Sequence, residues 1–288
     1  MIHEIAVLSG KGGTGKTTLT LSLIPYLDSL IIADCDVDAP DIHLILEKSK
    51  KTTESFYGIK KPFIDEYLCI KCGLCQKYCN YHAINDAIEI NHMKCEGCTI
   101  CSVVCPVGAI TMVDSSIGEI FEKETMYGPL IDARLTPGEE ASGKLVAEVR
   151  QKARQAAHTY HKQTILIDGS PGIGCNVMST ITGVNKAILV TEPSESSFHD
   201  LKRIIQLATI VSVEIIVVIN KFDNSPKYTN IIEDYCIENN ITVGLKIPYD
   251  KAIFQSLNRL EIPSLSNHPF FLGPEWNSFL SKIKVVNI

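Results

Sequence analysis

The octapeptide Gly10-Lys11-Gly12-Gly13-Thr14-Gly15-Lys16-Thr17 follows an apolar run at residues 4–8 and opens a helical stretch at residues 16–27. No other segment narrows the available folds as far. Glycines let the backbone curl until successive N–H groups point at one centre, and the start of a helix adds the positive end of its dipole there. A chain with this loop therefore begins with a strand, a phosphate cradle and a helix, the first unit of a parallel sheet. A turn that only joined strand to helix would not need Lys-Thr at its end. At this spacing Lys16 reaches the β- and γ-phosphates of a nucleotide, and the Thr17 hydroxyl reaches Mg²⁺. Gly10, Lys11, Gly12, Gly13, Thr14, Gly15, Lys16, Thr17 and Thr18 are the expected nucleotide contacts.

Elsewhere short Val/Ile/Leu runs alternate with turns and helical stretches. Strands are expected at residues 30–34, 164–168, 187–191, 214–220 and 242–247, and helices at 139–158, 196–211, 229–239, 250–257 and 275–284. Uninterrupted apolar runs suit strands covered on both faces, so the fold class is α/β, a doubly wound and mostly parallel sheet. Residues 41–164 break this rhythm over a span too long for one crossover helix. The break predicts an inserted module, placed at residues 62–115, within a discontinuous domain of residues 1–61 and 116–288.

Eight of the eleven cysteines fall between Cys69 and Cys105. With no export signal at the first residues, thiols in this number point to metal ligation rather than disulfides. Cys69-x-x-Cys72-x-x-Cys75-x-x-x-Cys79 recurs 26 residues later as Cys95-x-x-Cys98-x-x-Cys101-x-x-x-Cys105, followed by Pro106. Structural zinc prefers four-cysteine sites built from separated Cys-x-x-Cys pairs. A close triplet with a distant fourth cysteine instead suits two interlocked 4Fe–4S clusters, because the fourth residue of each run ligates the other cluster. Cys69, Cys72, Cys75 and Cys105 are the expected ligands of one, and Cys79, Cys95, Cys98 and Cys101 of the other. The module resembles a bacterial ferredoxin of α+β type, although Asn80 stands where the first run would have proline. The scattered Cys35, Cys175 and Cys236 are expected to be small buried side chains.

Lys11, a second lysine inside the glycine loop, makes Gly-Lys-Gly-Gly-x-Gly-Lys-Thr resemble the deviant Walker A motif of the MinD/ParA/Mrp and nitrogenase iron-protein superfamily of P-loop ATPases. The resemblance extends over essentially the whole chain, to MinD-superfamily members that contain an inserted ferredoxin domain. It implies ATP and Mg²⁺ as ligands and an ATP-sandwiched homodimer in which Lys11 reaches the partner's phosphates. Asp34-Cys35-Asp36-Val37-Asp38 resembles the family's switch I, which makes Asp36 the residue that positions the attacking water and Asp34 a support for the Mg²⁺ shell. Asp168, at the end of the apolar run 165–167 and before Gly169-Ser170-Pro171-Gly172, resembles the switch II carboxylate that reaches Mg²⁺ through water. Lys11, Lys16 and Asp36 form the expected catalytic set. Asn220 and Pro248 fall where the family contacts the base. Residues 128–130 and 135–145 resemble segments recurring in the ferredoxin-containing group.

The balance of 27 basic and 33 acidic residues, a net charge of −6, argues against a broad nucleic-acid footprint. No run is long and apolar enough to span a bilayer, so a cytoplasmic protein is expected. The leading expectation is an ATPase that couples nucleotide-dependent dimerisation to electron transfer, or to docking with a protein redox or metallocofactor-assembly partner. Two alternatives are an Mrp-type cluster carrier and a MinD/ParA-like positioning ATPase. For the last, the stripe Trp276, Phe279, Leu280 and Ile283 could be read as a membrane-surface helix, but such a stripe more often packs on the core.

Overall fold

A computed structural model describes residues 2–46, 48–139 and 143–284. The chain forms two compact units: Met1–Thr53, Ile120–Arg134 and Ala141–Ile288 make one, and Glu54–Glu119 with Leu135–Glu140 make the other. The strands are β1 His3–Ser9, β2 Leu30–Cys35, β3 Ser49–Tyr57, β4 Lys61–Ile64, β5 Ile110–Val113, β6 Ser116–Glu124, β7 Pro129–Leu135, β8 Thr164–Pro171, β9 Lys186–Thr191, β10 Glu214–Asn220 and β11 Thr242–Ile247. Nine of them form one sheet in the order β11-β10-β9-β1-β8-β2-β7-β6-β3. Every neighbouring pair from β11 to β7 is parallel. All residues of β2 and β9 are buried, as a sheet covered by helices on both faces requires.

All six expected strands are present. β3, β6 and β7 were not anticipated, and the reason is their composition. β6 interleaves Glu119, Glu122 and Lys123 with Ile117, Ile120 and Phe121, and every residue of β3 except Phe56 is exposed. Such half-polar strands lack the continuous apolar run that marks the central ones. The first helix is also shorter than expected: it covers Lys16–Leu23 and tightens into a 3₁₀ turn at Ile24–Tyr26. Pro25 has no N–H to continue the α-helical ladder. The helix expected at 139–158 is Gly143–Thr159; Glu140, Ala141 and Ser142, in the middle of the 135–145 segment, lie outside the described residues. An unanticipated helix, Cys175–Ile181, follows β8.

The stripe on the last helix, Pro274–Ile283, is core. Trp276, Phe279 and Ile283 are fully buried and Leu280 nearly so, and the Trp276 ring meets Tyr26 and Phe271 edge-on. Among the described residues no helix is long and apolar enough to cross a membrane.

The second unit is built on the antiparallel pair β4–β5 and the short helices Leu74–Lys77 and Ile100–Val103. Its halves repeat in the backbone as well as in the sequence. Lys71 and Gly97, Gly73 and Thr99, and His82 and Gly108 are mates 26 residues apart, and all six have positive φ. Ile64 pairs with Ile110 in the ribbon, and their mates Ile90 and Ile84 form an isolated bridge. Cys75, Ile84 and Ile110 form a small core, with Ile64, Ile88 and Ile90 packed against it.

Candidate nucleotide site and cysteine-lined cavities

The glycine loop hangs between β1 and the helix Lys16–Leu23. Gly15, at the helix N-cap, has φ +91°, and a Cβ there would stand 2.3 Å from Asn220 Nδ2. That contact is part of the design, since Asn220 Nδ2 donates to the Thr14 carbonyl at 2.8 Å and so ties the end of β10 to the loop. Thr14 Oγ1 is buried and has no hydrogen-bond partner among the described residues. An orphaned hydroxyl inside a loop of this shape fits a site that receives an acceptor-rich ligand.

Asp168 is the centre of the polar cluster. Its Oδ2 accepts from Thr17 Oγ1 at 2.7 Å and from Lys16 Nζ at 3.2 Å, while Oδ1 accepts from Thr20 Oγ1 at 2.7 Å. Lys16 Nζ also lies 3.3 Å from Asp36 Oδ2. β2 and β8 run in register so that Asp34 stands opposite Asp168, and this parallel pairing brings carboxylates 134 positions apart in the chain to one edge. Burial alone would lower the Lys16 pKa, but Asp168, Asp36 and Asp34 outweigh it and raise it. Burial raises Asp36, with Lys16 opposing and Asp168 adding to the rise. Asp34 is fully buried, and burial reinforced by Asp168 pushes its carboxyl well above the usual range despite Lys16 and the N–H groups of Asp36 and Ile42, which it accepts.

A cavity of about 740 Å³ opens beside this cluster. Gly12, Gly13, Gly15, Lys16, Thr17, Thr18, Asp36, Asn220 and Pro248 all line it. Asp34 and Asp168 lie outside its lining, at 0% and 1% exposure. Gly10, Lys11 and Thr14 are also outside it. A Cβ on Gly10 would stand 2.5 Å from Asp200 Cβ, so this glycine permits close packing. Lys11 Nζ donates to Ser196 Oγ of its own chain at 3.2 Å. Sequence reasoning missed Thr20, one helical turn after Lys16, which carries no motif of its own. It also missed Phe254, which lines the cavity yet is 64% exposed; Tyr249, in the expected base-side loop with Pro248, lines it too at 50% exposure.

In the second unit the cysteines surround two cavities. One is lined by Cys69, Cys72, Cys75 and Cys105, the other by Cys79, Cys95, Cys98 and Cys101. Each therefore takes three sulfurs from one run and the fourth from the other. Among the described residues no three His, Cys, Asp or Glu side chains gather closely enough to hold a single metal ion; four cysteines border each cavity. That donor set fits a four-iron cluster, whose ligands attach to separate irons. Backbone N–H groups reach the two crossing sulfurs in matching fashion: Ala83 donates to Cys79 Sγ at 3.4 Å and Ala109 to Cys105 Sγ at 3.3 Å. Cys35 and Cys236 are buried, and burial pushes the Cys236 thiol up to about 11. Cys175 departs from expectation. It opens the helix Cys175–Ile181 beside the glycine-rich turn 172–174 and is exposed.

The family described as the CobQ/CobB/MinD/ParA nucleotide binding domain matches residues 5–263. An uncharacterised protein of Methanocaldococcus jannaschii is 36% identical over 225 residues, covering 77% of this chain and 79% of its own. A ferredoxin of Pyrobaculum islandicum is 33% identical over 85 residues, 28% of this chain and 78% of its own. Among solved structures, the septum site-determining protein MinD of Pyrococcus horikoshii, complexed with Mg-ADP, matches with a TM-score of 0.59 at 16% identity, covering 98% of this chain and 96% of that one. At that identity the likeness is one of fold.

Proposed function

The chain belongs to the CobQ/CobB/MinD/ParA nucleotide-binding domain family, and from that premise we propose that it is an ATPase whose nucleotide state governs what a pair of 4Fe–4S clusters in its ferredoxin-like insert can meet. The observation that carries the first half is the Lys16 ammonium held between Asp36 and Asp168. Triphosphate entering the loop competes for that ammonium. As Lys16 turns to the β- and γ-phosphates it releases Asp36, whose carboxylate then accepts a proton of the attacking water and aligns its oxygen on phosphorus. Thr17 and Asp168, with Asp34 behind them, would hold Mg²⁺, which would supply positive charge to offset that of the phosphates. Asn220 and Pro248 border the base. Lys11 exchanges Ser196 for the phosphates of a second copy, which makes the ATP-bound form a homodimer.

Cys69, Cys72, Cys75 and Cys105 hold one cluster, and Cys79, Cys95, Cys98 and Cys101 the other. Bound there, the clusters supply one-electron storage. The insert, placed at residues 62–115, presents six acids against three lysines and no arginine, which favours a protein redox or metallocofactor-assembly partner with a basic face.

Nucleotide binding and turnover test the reading together. Lys16→Ala abolishes ATP binding, and Asp36→Ala retains binding while hydrolysis slows by about 10²-fold or more, the scale of a lost positioning group. Normal turnover by Asp36→Ala removes the water-positioning role. Anaerobically purified protein carries about eight irons per chain, the sum of two four-iron clusters; an iron-free, zinc-loaded preparation sinks the cluster half.

A further inference from the structure

One buried charge breaks the near-symmetry of the cysteine unit. Lys61, at the start of β4, is 5% exposed, and its Nζ donates to the carbonyls of His92 at 2.9 Å and Cys95 at 2.7 Å. Its bonding partners are carbonyls that carry no charge to offset its own. The repeat mate of Lys61 is Ala87, exposed and uncharged. Gly97 explains why the lysine serves only one half. A Cβ on Gly97 would stand 2.7 Å from the Lys60 carbonyl, so the second cysteine run lies directly against the backbone that carries Lys61. In the first run the mate of Gly97 is Lys71, which is exposed.

We propose that Lys61 makes the cluster held by Cys79, Cys95, Cys98 and Cys101 the more easily reduced of the two, so that the first electron entering the unit comes to rest there. This inference rests on the cluster reading above. Reduction takes one electron from an external one-electron donor and adds one negative charge to a cluster, with no bond made or broken. A fixed cation in a poorly hydrated interior stabilises the added charge. The charges bordering the two cavities, Lys71 on the first and Glu96 on the second, are both exposed and act through water and salt, which weaken them. Glu96 opposes the bias and Lys71 favours the other cluster, so the buried Lys61 must outweigh both.

An anaerobic redox titration of the full chain with dithionite, followed by electron paramagnetic resonance, tests this. The wild type shows two separate one-electron couples. Lys61→Met makes the higher couple about tenfold harder to reduce, about 59 mV for one electron, and leaves the lower in place; Lys61→Arg restores the higher value. A variant that moves both couples equally, or neither, overturns the inference. Should Lys61→Met lose its iron, half-reduced wild type still decides, through the hyperfine-shifted β-protons of selectively labelled cysteines. Paramagnetism centred on the Cys79, Cys95, Cys98 and Cys101 set upholds the bias, and paramagnetism on the Cys69 set overturns it. Wild type with no iron and no reducible signal defeats the cluster reading itself, a failure distinct from either of these.

Discussion

Thr17 and Thr20 put one hydroxyl on each oxygen of Asp168, both at 2.7 Å, so the carboxylate we propose for Mg²⁺ is fixed in rotation before any ligand arrives. Thr20→Val removes one of these bonds at little change in volume. ATP turnover should then need about tenfold more Mg²⁺ for half-saturation, the scale of losing a partner that orients a metal ligand; an unchanged Mg²⁺ requirement contradicts the orienting role. Asp34 is the strained member of the group. Its folded pKa is raised above the ordinary 3.8, so its contribution to stability is full below that value and is lost as pH rises through the raised one. Asp34→Asn should therefore raise the melting temperature of nucleotide-free protein at neutral pH and flatten its gain on acidification. A lower melting temperature at neutral pH would show that the charged form is favoured. Lys16 and Thr17 were expected from the loop's fixed spacing, and Asp36 and Asp168 from the resemblance to the family's switch segments; the fold brings the four side chains together. Thr20 and Phe254 were not expected, since their part depends on which helix face the fold turns toward the site.

The same division holds for elements. β1, β2, β8, β9 and β10 were legible as apolar runs, because strands buried on both faces tolerate little else; β11, at the sheet edge, is only partly buried and its run is mixed. β3, β6 and β7 were hidden by their charged residues, so no strand was expected immediately on either side of the insertion placed at residues 62–115. β7 nevertheless lies in register with β2, Asp132 opposite Asp34, so the sheet continues past the point where the pattern stops. The last helix shows how packing decides an amphipathic pattern. A Cβ on Gly244 of β11 would stand 3.1 Å from Phe279, so the strand leaves room for that ring. Trp276→Ala should cost about 3–5 kcal/mol, as large-to-small changes in a closed core do, measured as a lower urea midpoint with unchanged slope. Loss below about 1 kcal/mol would mean that the ring is not part of a closed core.

For the whole molecule, two chemistries share one chain: a loop closed on its own lysine, and a repeated cysteine unit whose sulfurs surround two cavities. Each was legible separately. The proposed coupling between them was expected from the presence of both motifs in one chain, but its partner was not, because no spacing encodes what a nucleotide-driven switch acts upon. Sizing with MgATP should show a dimer that Lys11→Ala weakens, since this lysine has a neutral Ser196 hydroxyl to exchange for phosphate; a monomer under both conditions contradicts the shared-phosphate role. The most direct measurement is the stopped-flow reoxidation of dithionite-reduced protein by ferricyanide, with and without MgATP, in wild type and in Lys16→Ala. MgATP should change the wild-type rate at least about fivefold, the lower range of coupling between distinct sites, and leave Lys16→Ala unaffected. Equal wild-type rates with and without MgATP would contradict nucleotide control of the clusters.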